Sequence, residues 1–248
     1  MRIISISQQA RGAFNGGQII ENKPIGFPQD KGFVRPYSSL FYWARAEALV
    51  DSTIGLHPHQ GFEIMSFVLE GHIRHFDSQM NGWKPLEAGD VQIIRAGKGI
   101  SHAEHLEKGG VIFQIWVDPD LSKTLQQDAS YDDYKGASFS NEEVDGALIT
   151  YYAGEKGLMK LDTPSVDIRR IEVRDHFEWS GDASSIRSLY IVEGSGIING
   201  KTVEKDDFII LDNGEDMSFK ADEVQMDVFA FTVASQPAYA TYSERYAS

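Results

Sequence analysis

The chain reads as an all-β protein of two barrel-like domains, and three observations predict this. Short β-type runs punctuated by Gly, Pro, Asn and Asp dominate its 248 residues, long helical periodicity is nearly absent, and one strand-and-turn pattern occurs twice. In chain order, the apolar runs at 63–69, 91–94 and 111–117 predict the first set of strands. A short helix or helical turn is expected at 120–125, after Pro119. The stretch that follows, rich in Asp, Tyr and Ser up to about Asn141, reads as a connection. The runs at 189–192 and 208–211 belong to the second set.

The repeat supports the division. Phe67-Val68-Leu69-Glu70-Gly71 matches Tyr190-Ile191-Val192-Glu193-Gly194, and Gly89-Asp90-Val91-Gln92-Ile93-Ile94 matches Asp206-Asp207-Phe208-Ile209-Ile210-Leu211. Each copy ends an apolar strand in Glu-Gly, where glycine can take the positive φ of a tight turn. The expected organisation is an N-terminal barrel at 1–125, a connection at 126–145, and a C-terminal barrel with a tail at 146–248.

Composition narrows the functions. A hydrophobic content of 42 % supports a real core. The formal charge is −14 and the pI about 4.9, and from Glu193 to Asp227 ten acidic residues face three lysines. Such a surface repels phosphate backbones, which argues against direct nucleic-acid binding. No apolar run approaches the length that spans a membrane. The start, Met1 to Gln8, has too short an apolar core for a secretory signal, so a cytoplasmic location is expected. There is no cysteine, hence no disulfide, iron–sulfur cluster or thiol nucleophile.

Histidine carries the chemical signal. Six of the seven (His57, His59, His72, His75, His102 and His105) lie between positions 57 and 105. Residues two apart on a strand share a face. His57 and His59 can therefore aim into one cavity, and His102 and Glu104 can do so from a second strand. Three neutral imidazoles and a carboxylate suit iron, nickel, copper or zinc, and suit magnesium or calcium poorly. Period two leaves the carboxylate open: Glu63 would share the face of His57, His59 and Gly61 in a regular strand, and Glu104 that of His102. His72, His75 and His105 read as solvated or hydrogen-bonded residues and His176 as structural. Met65, Phe67 and Leu69 are expected on the face of His57 and His59, with Phe113 and Ile115 as neighbours.

The ordered motif His57-Pro58-His59-x-Gly61-Phe62-Glu63, Val68-Leu69-Glu70-Gly71, Gly89-Asp90-Val91-Gln92, Ala96-Gly97-Lys98-Gly99-Ile100-x-His102-Ala103-Glu104 and Gln114-Ile115-Trp116-Val117 resembles the pirin family of the cupin superfamily. The likeness is dense from about Gly55 to Val117. It implies two cupin-type double-stranded β-helix barrels (a bicupin), with one divalent metal in the N-terminal barrel. Iron is the usual ion, and nickel, copper, zinc, manganese or cobalt are alternatives. It also implies His57, His59, His102 and Glu104 as ligands, with Glu63 left to a supporting role behind the imidazoles. Gln60 and Lys98 depart from the arginines that the family often has at these places, which alters charge near the site.

Some members of this family resemble quercetin 2,3-dioxygenases, and others act as regulatory partners of proteins. The expected function is therefore a metal-dependent dioxygenase opening a flavonol-like phenol with O2. Glu104 would serve as general base, and the residues that would bind substrate are not identified. The alternatives are a redox-sensitive regulatory protein with a protein partner, and another small-molecule cupin enzyme such as an isomerase.

Overall fold

The computed structural model describes residues 1–212, 214–222 and 225–246, nearly all of them in strands and turns. The α-helices are the short Leu121–Thr124, capped by Asp120, and Tyr242–Tyr246. No helix among the described residues is long and apolar enough to cross a membrane. The chain divides into two compact units, and in each a seven-stranded sheet faces a four-stranded one.

The first unit comprises Gln9–Ser138, Leu161–Thr163 and the described residues from Tyr239 onward. Its large sheet runs Ser130–Tyr134, Val91–Arg95, Glu63–Glu70, Val111–Val117, Leu40–Ala48, Ile19–Ile25 and Ala10–Phe14. Its small sheet runs Ser52–His59, Ile100–Leu106, His72–Asp77 and Gly82–Glu87. Every pairing is antiparallel. Val68 and Ile112 from the large sheet meet Ile73, Leu86 and Leu106 from the small one in the barrel interior. Full burial of such a side chain is worth about 1.5–3 kcal/mol, which is what holds the two sheets face to face.

The second unit comprises Met1–Gln8, Phe139–Lys160 and Pro164–Ala238. Its large sheet runs Arg2–Ile4, Phe208–Leu211, Ser185–Glu193, Met226–Ala234, Asp167–Val173, Ala147–Ala153 and Ser140–Val144. Its small sheet runs His176–Trp179, Met217–Ala221, Ser195–Ile198 and Lys201–Glu204. Leu189, Ile209 and Ala230 close on Phe177, Ile198 and Phe219. The repeat seen in sequence is a repeat of structure. Glu63–Glu70 pairs with Val91–Arg95 as Ser185–Glu193 pairs with Phe208–Leu211, and Gly71 and Gly194 end the longer strands at φ +72° and +81°.

The expected boundaries change in two places. Residues 126–145 are not a bare connection: Ser130–Tyr134 forms an edge strand of the first unit and Ser140–Val144 an edge strand of the second. Both are polar edge strands, and a strand buried on neither face lacks the alternation that would reveal it in sequence. Residues 2–4, assigned by sequence to the first barrel, instead pair with Phe208–Leu211 in the second.

Candidate metal centre

Two adjacent strands of the small sheet bring three histidines together. Ser52–His59 and Ile100–Leu106 pair so that His102 stands opposite His57, and Ile100 opposite His59. The ring centroids lie 4.4 Å apart for His57 and His102, and 4.8 Å apart for each of the other two pairs. One ring nitrogen from each falls within 4.8 Å of the others. His57 donates from Nδ1 to the Gly55 carbonyl at 2.8 Å, which leaves Nε2 as the free donor atom.

The surroundings leave the other two rings unsatisfied. His102 is fully buried, and both its nitrogens lack a hydrogen-bond partner, as does buried Nε2 of His59. Buried polar atoms without partners are rare because each costs free energy, so three in one cluster call for an occupant. Burial, followed by the repulsion between neighbouring imidazoles, pushes His59 and His102 down to about 3. Both are therefore neutral near pH 7, the form that ligates a metal. The donor set fits a divalent transition ion.

Glu104 joins from the same strand as His102. It is fully buried and forms a second cluster, with His102 and His75, whose ligand atoms also lie within 4.8 Å of one another. Its Oε1 accepts from Ser66 Oγ at 2.7 Å and Gln92 Nε2 at 3.1 Å, and its Oε2 from Gln114 Nε2 at 2.6 Å. A carboxylate has about four lone-pair sites, so one is left for a cation or proton. The four residues expected as ligands thus lie in two clusters that share His102.

Glu63 lies elsewhere. Gly61, at φ +82°, breaks the strand after His59, so Glu63 begins a strand of the other sheet and does not share the imidazole face. It accepts from Asp162 N at 2.7 Å, Thr163 N at 2.8 Å and Thr163 Oγ1 at 2.5 Å, with Arg95 at 3.8 Å. Its carboxylate is committed to that segment rather than to orienting the histidines.

The expected apolar wall is also corrected. Ser66, Gln92 and Gln114 reach Glu104, so their face of the large sheet is the inward one, and Met65, Phe67, Phe113 and Ile115 point to the opposite face. The site is lined by polar groups and by the edge of Trp116, 4.8 Å from His59. Sequence reasoning missed this trio, and it also passed over His75 and Tyr131. His75 is fully buried, bonded to Asp77 at 3.3 Å and stacked on Tyr131 at 4.6 Å. The available signal was Ser66, Gln92 and Gln114 interrupting otherwise apolar strands. By contrast His72 and His176 are exposed, the latter beside Glu178 at 2.7 Å, and His105 bonds Thr53 at 2.8 Å.

A cleft of about 520 Å³ opens beside His59, lined by Gln60, Ser78, Lys98 and Ser101 among others. The two departures noted in the motif meet at its mouth, where Gln60 Nε2 donates to the Lys98 carbonyl at 2.9 Å and Lys98 Nζ pairs with Asp128 at 3.0 Å.

Residues 32–117 match the pirin family. A protein of Pseudomonas aeruginosa that bears a provisional quercetin 2,3-dioxygenase name is 36 % identical over 122 residues, 48 % of this chain and 50 % of that protein. A quercetin 2,3-dioxygenase of Escherichia coli K12 is 41 % identical over 69 residues, 27 % of this chain and 29 % of its own length. The chain thus spans half or less of these relatives. The crystal structure of a bacterial pirin from Escherichia coli in complex with nickel(II) superposes with a TM-score of 0.77 at 20 % identity, covering 95 % of this chain and 99 % of that one. At that identity the likeness shows the fold.

Proposed function

We propose, from the match of residues 32–117 to the pirin family, that the N-terminal barrel of this chain is the metal centre of a dioxygenase. Its substrate would be a flavonol-like phenol such as quercetin, with O2 as co-substrate, and its location the cytoplasm. The observation that carries this reading is the convergence of His57 with the partnerless buried imidazole nitrogens of His59 and His102, beside a buried carboxylate. His57, His59, His102 and Glu104 would hold one divalent ion, and the nickel complex of the Escherichia coli pirin supports a metal of this class. Iron is the first candidate by family habit. A bound ion would supply Lewis acidity, lowering the pKa of a phenolic oxygen and making the ring electron-rich toward O2.

The chain's own groups do the remaining work. Ser66, Gln92 and Gln114 fix both oxygens of Glu104, so it meets a substrate in one orientation. That single open lone pair serves one partner at a time, so Glu104 would take the phenolic proton as general base only on giving up its place on the ion. The edge of Trp116 limits the space beside His59, and the cleft at Gln60 and Lys98 offers the way in from solvent. Gln60 is neutral and Lys98 is engaged by Asp128, so the entrance does not demand an acidic substrate.

The test is quercetin absorbance in air with metal-loaded protein, beside His57→Ala and free metal at equal concentration, with carbon monoxide release as the sign of ring cleavage. Faster loss with wild type than with either control is expected. Equal loss in wild type and His57→Ala would end the dioxygenase reading and leave the regulatory one.

A further inference from the structure

The two barrels share one strand pattern but carry their polar residues at different depths. In the first, Ser66 stands opposite Gln92 and Gln114, the layer that grips Glu104. The same positions of the second are Leu189 opposite Ile209 and Ala230, all apolar. One inward position further along, the order reverses. The first barrel has Ile64 opposite Ile94 and Trp116, and the second has Arg187 opposite Leu211 and Thr232. At these positions the second barrel has no polar layer equivalent to the one around Glu104, and it carries a cation beneath a cavity of about 670 Å³.

Arg187 is only 6 % exposed. Its Nη2 donates to the Ser180 carbonyl and its guanidinium lies 4.3 Å over the Trp179 ring, but it has no carboxylate partner and its buried Nη1 has no acceptor. Thr232 Oγ1, directly across the strand pair, is also buried without a partner. An arginine keeps its charge, so a buried guanidinium with an open donor is costly until an anion meets it. Of the other charges on the wall, Glu155 is exposed and the rest are engaged. Arg169 is held by both oxygens of Asp167, at 2.5 and 3.0 Å, and Asp182 accepts from Ser184 N and Oγ at 2.9 and 2.7 Å.

We propose that this cavity is a second binding site, for an organic monocarboxylate seated on Arg187 and Thr232. One carboxylate oxygen would accept a charge-assisted hydrogen bond from Arg187 Nη1 and the other a hydrogen bond from the Thr232 hydroxyl. A single negative charge matches the single unpaired cation, whereas a dianion such as phosphate would face Asp167 and Asp182 uncompensated. The indole of Trp179, already carrying Arg187 and Arg169 at 4.3 and 4.9 Å, gives the wall an apolar surface for the rest of the ligand. The volume is in the range of small-molecule sites.

Calorimetric titration of the metal-loaded full chain with benzoate, benzamide and inorganic phosphate tests this. Saturable benzoate binding is expected, with neutral benzamide and phosphate each weaker by about tenfold or more, as loss of a charged hydrogen bond requires. Arg187→Met should remove benzoate binding, and Thr232→Val should weaken it severalfold without changing metal content. His57→Ala, which disables the metal centre, should bind benzoate as wild type does. The proposal falls if benzoate does not saturate, if benzamide or phosphate binds as well, or if His57→Ala abolishes binding. It falls also if Thr232→Val binds benzoate as tightly as wild type, a result that stands even where Arg187→Met fails to fold.

Discussion

Glu104 and Glu63 are both buried carboxylates, and their hydrogen bonds separate their tasks. Three side-chain amide and hydroxyl groups hold Glu104 beside His102, whereas backbone and hydroxyl donors of 162–163 hold Glu63. Glu104→Ala should therefore strip the site of tightly bound metal, measured by elemental analysis after dialysis, and abolish any oxygenase turnover. Glu63→Ala should leave close to one ion per chain but lower stability by about 2–4 kcal/mol, because it orphans three donors. Urea unfolding of both variants checks this. Metal retained in Glu104→Ala and lost in a folded Glu63→Ala would reverse the assignment.

At the level of the element, the break between Ser52–His59 and Glu63–Glu70 makes the site. A continuous strand would carry Glu63 alongside the histidines, but Gly61 at φ +82° lets the chain turn into the other sheet. A Cβ at Gly61 would come within 2.8 Å of Leu121 Cδ2, besides the left-handed backbone it would have to adopt. Gly61→Ala should cost about 1–2 kcal/mol for the backbone alone and shift His59 enough to weaken metal binding. Thermal unfolding with and without metal reads both effects: the gain in melting temperature on adding metal should shrink. An unchanged gain would show that the turn does not position His59.

For the whole molecule, metal content and pH dependence follow from which barrel is polar inside. The second barrel presents Leu189, Ile209 and Ala230 where the first has Ser66, Gln92 and Gln114, so elemental analysis of purified protein should find about one ion per chain. A second tightly held equivalent would contradict this. In metal-free protein, His59 and His102 are depressed from 6.5 to about 3. Between those values the unfolded chain binds the proton and the folded one does not, so stability is fully present above 6.5 and falls as pH drops toward 3. The slope is at most about 1.4 kcal/mol per pH unit for each group. Chelator-treated protein should unfold at lower urea near pH 5 than near pH 7, and His102→Gln should flatten the difference.

The sequence by itself determined the all-β class, the doubled strand pattern and the crowding of histidine and carboxylate into one motif. These are readable because strand alternation, turn glycines and ligand chemistry are local properties of a few neighbouring residues. Tertiary structure alone decided the edge strands within 126–145, the exchange of residues 2–4 into the second barrel, and the placement of Glu63. It also decided that Ser66, Gln92 and Gln114, from three separate strands, hold Glu104. Period two shows that residues alternate between faces, but not which face turns inward or whether the strand continues through Gly61. Those choices are made by pairing with distant strands and by burial, which no local stretch of sequence contains.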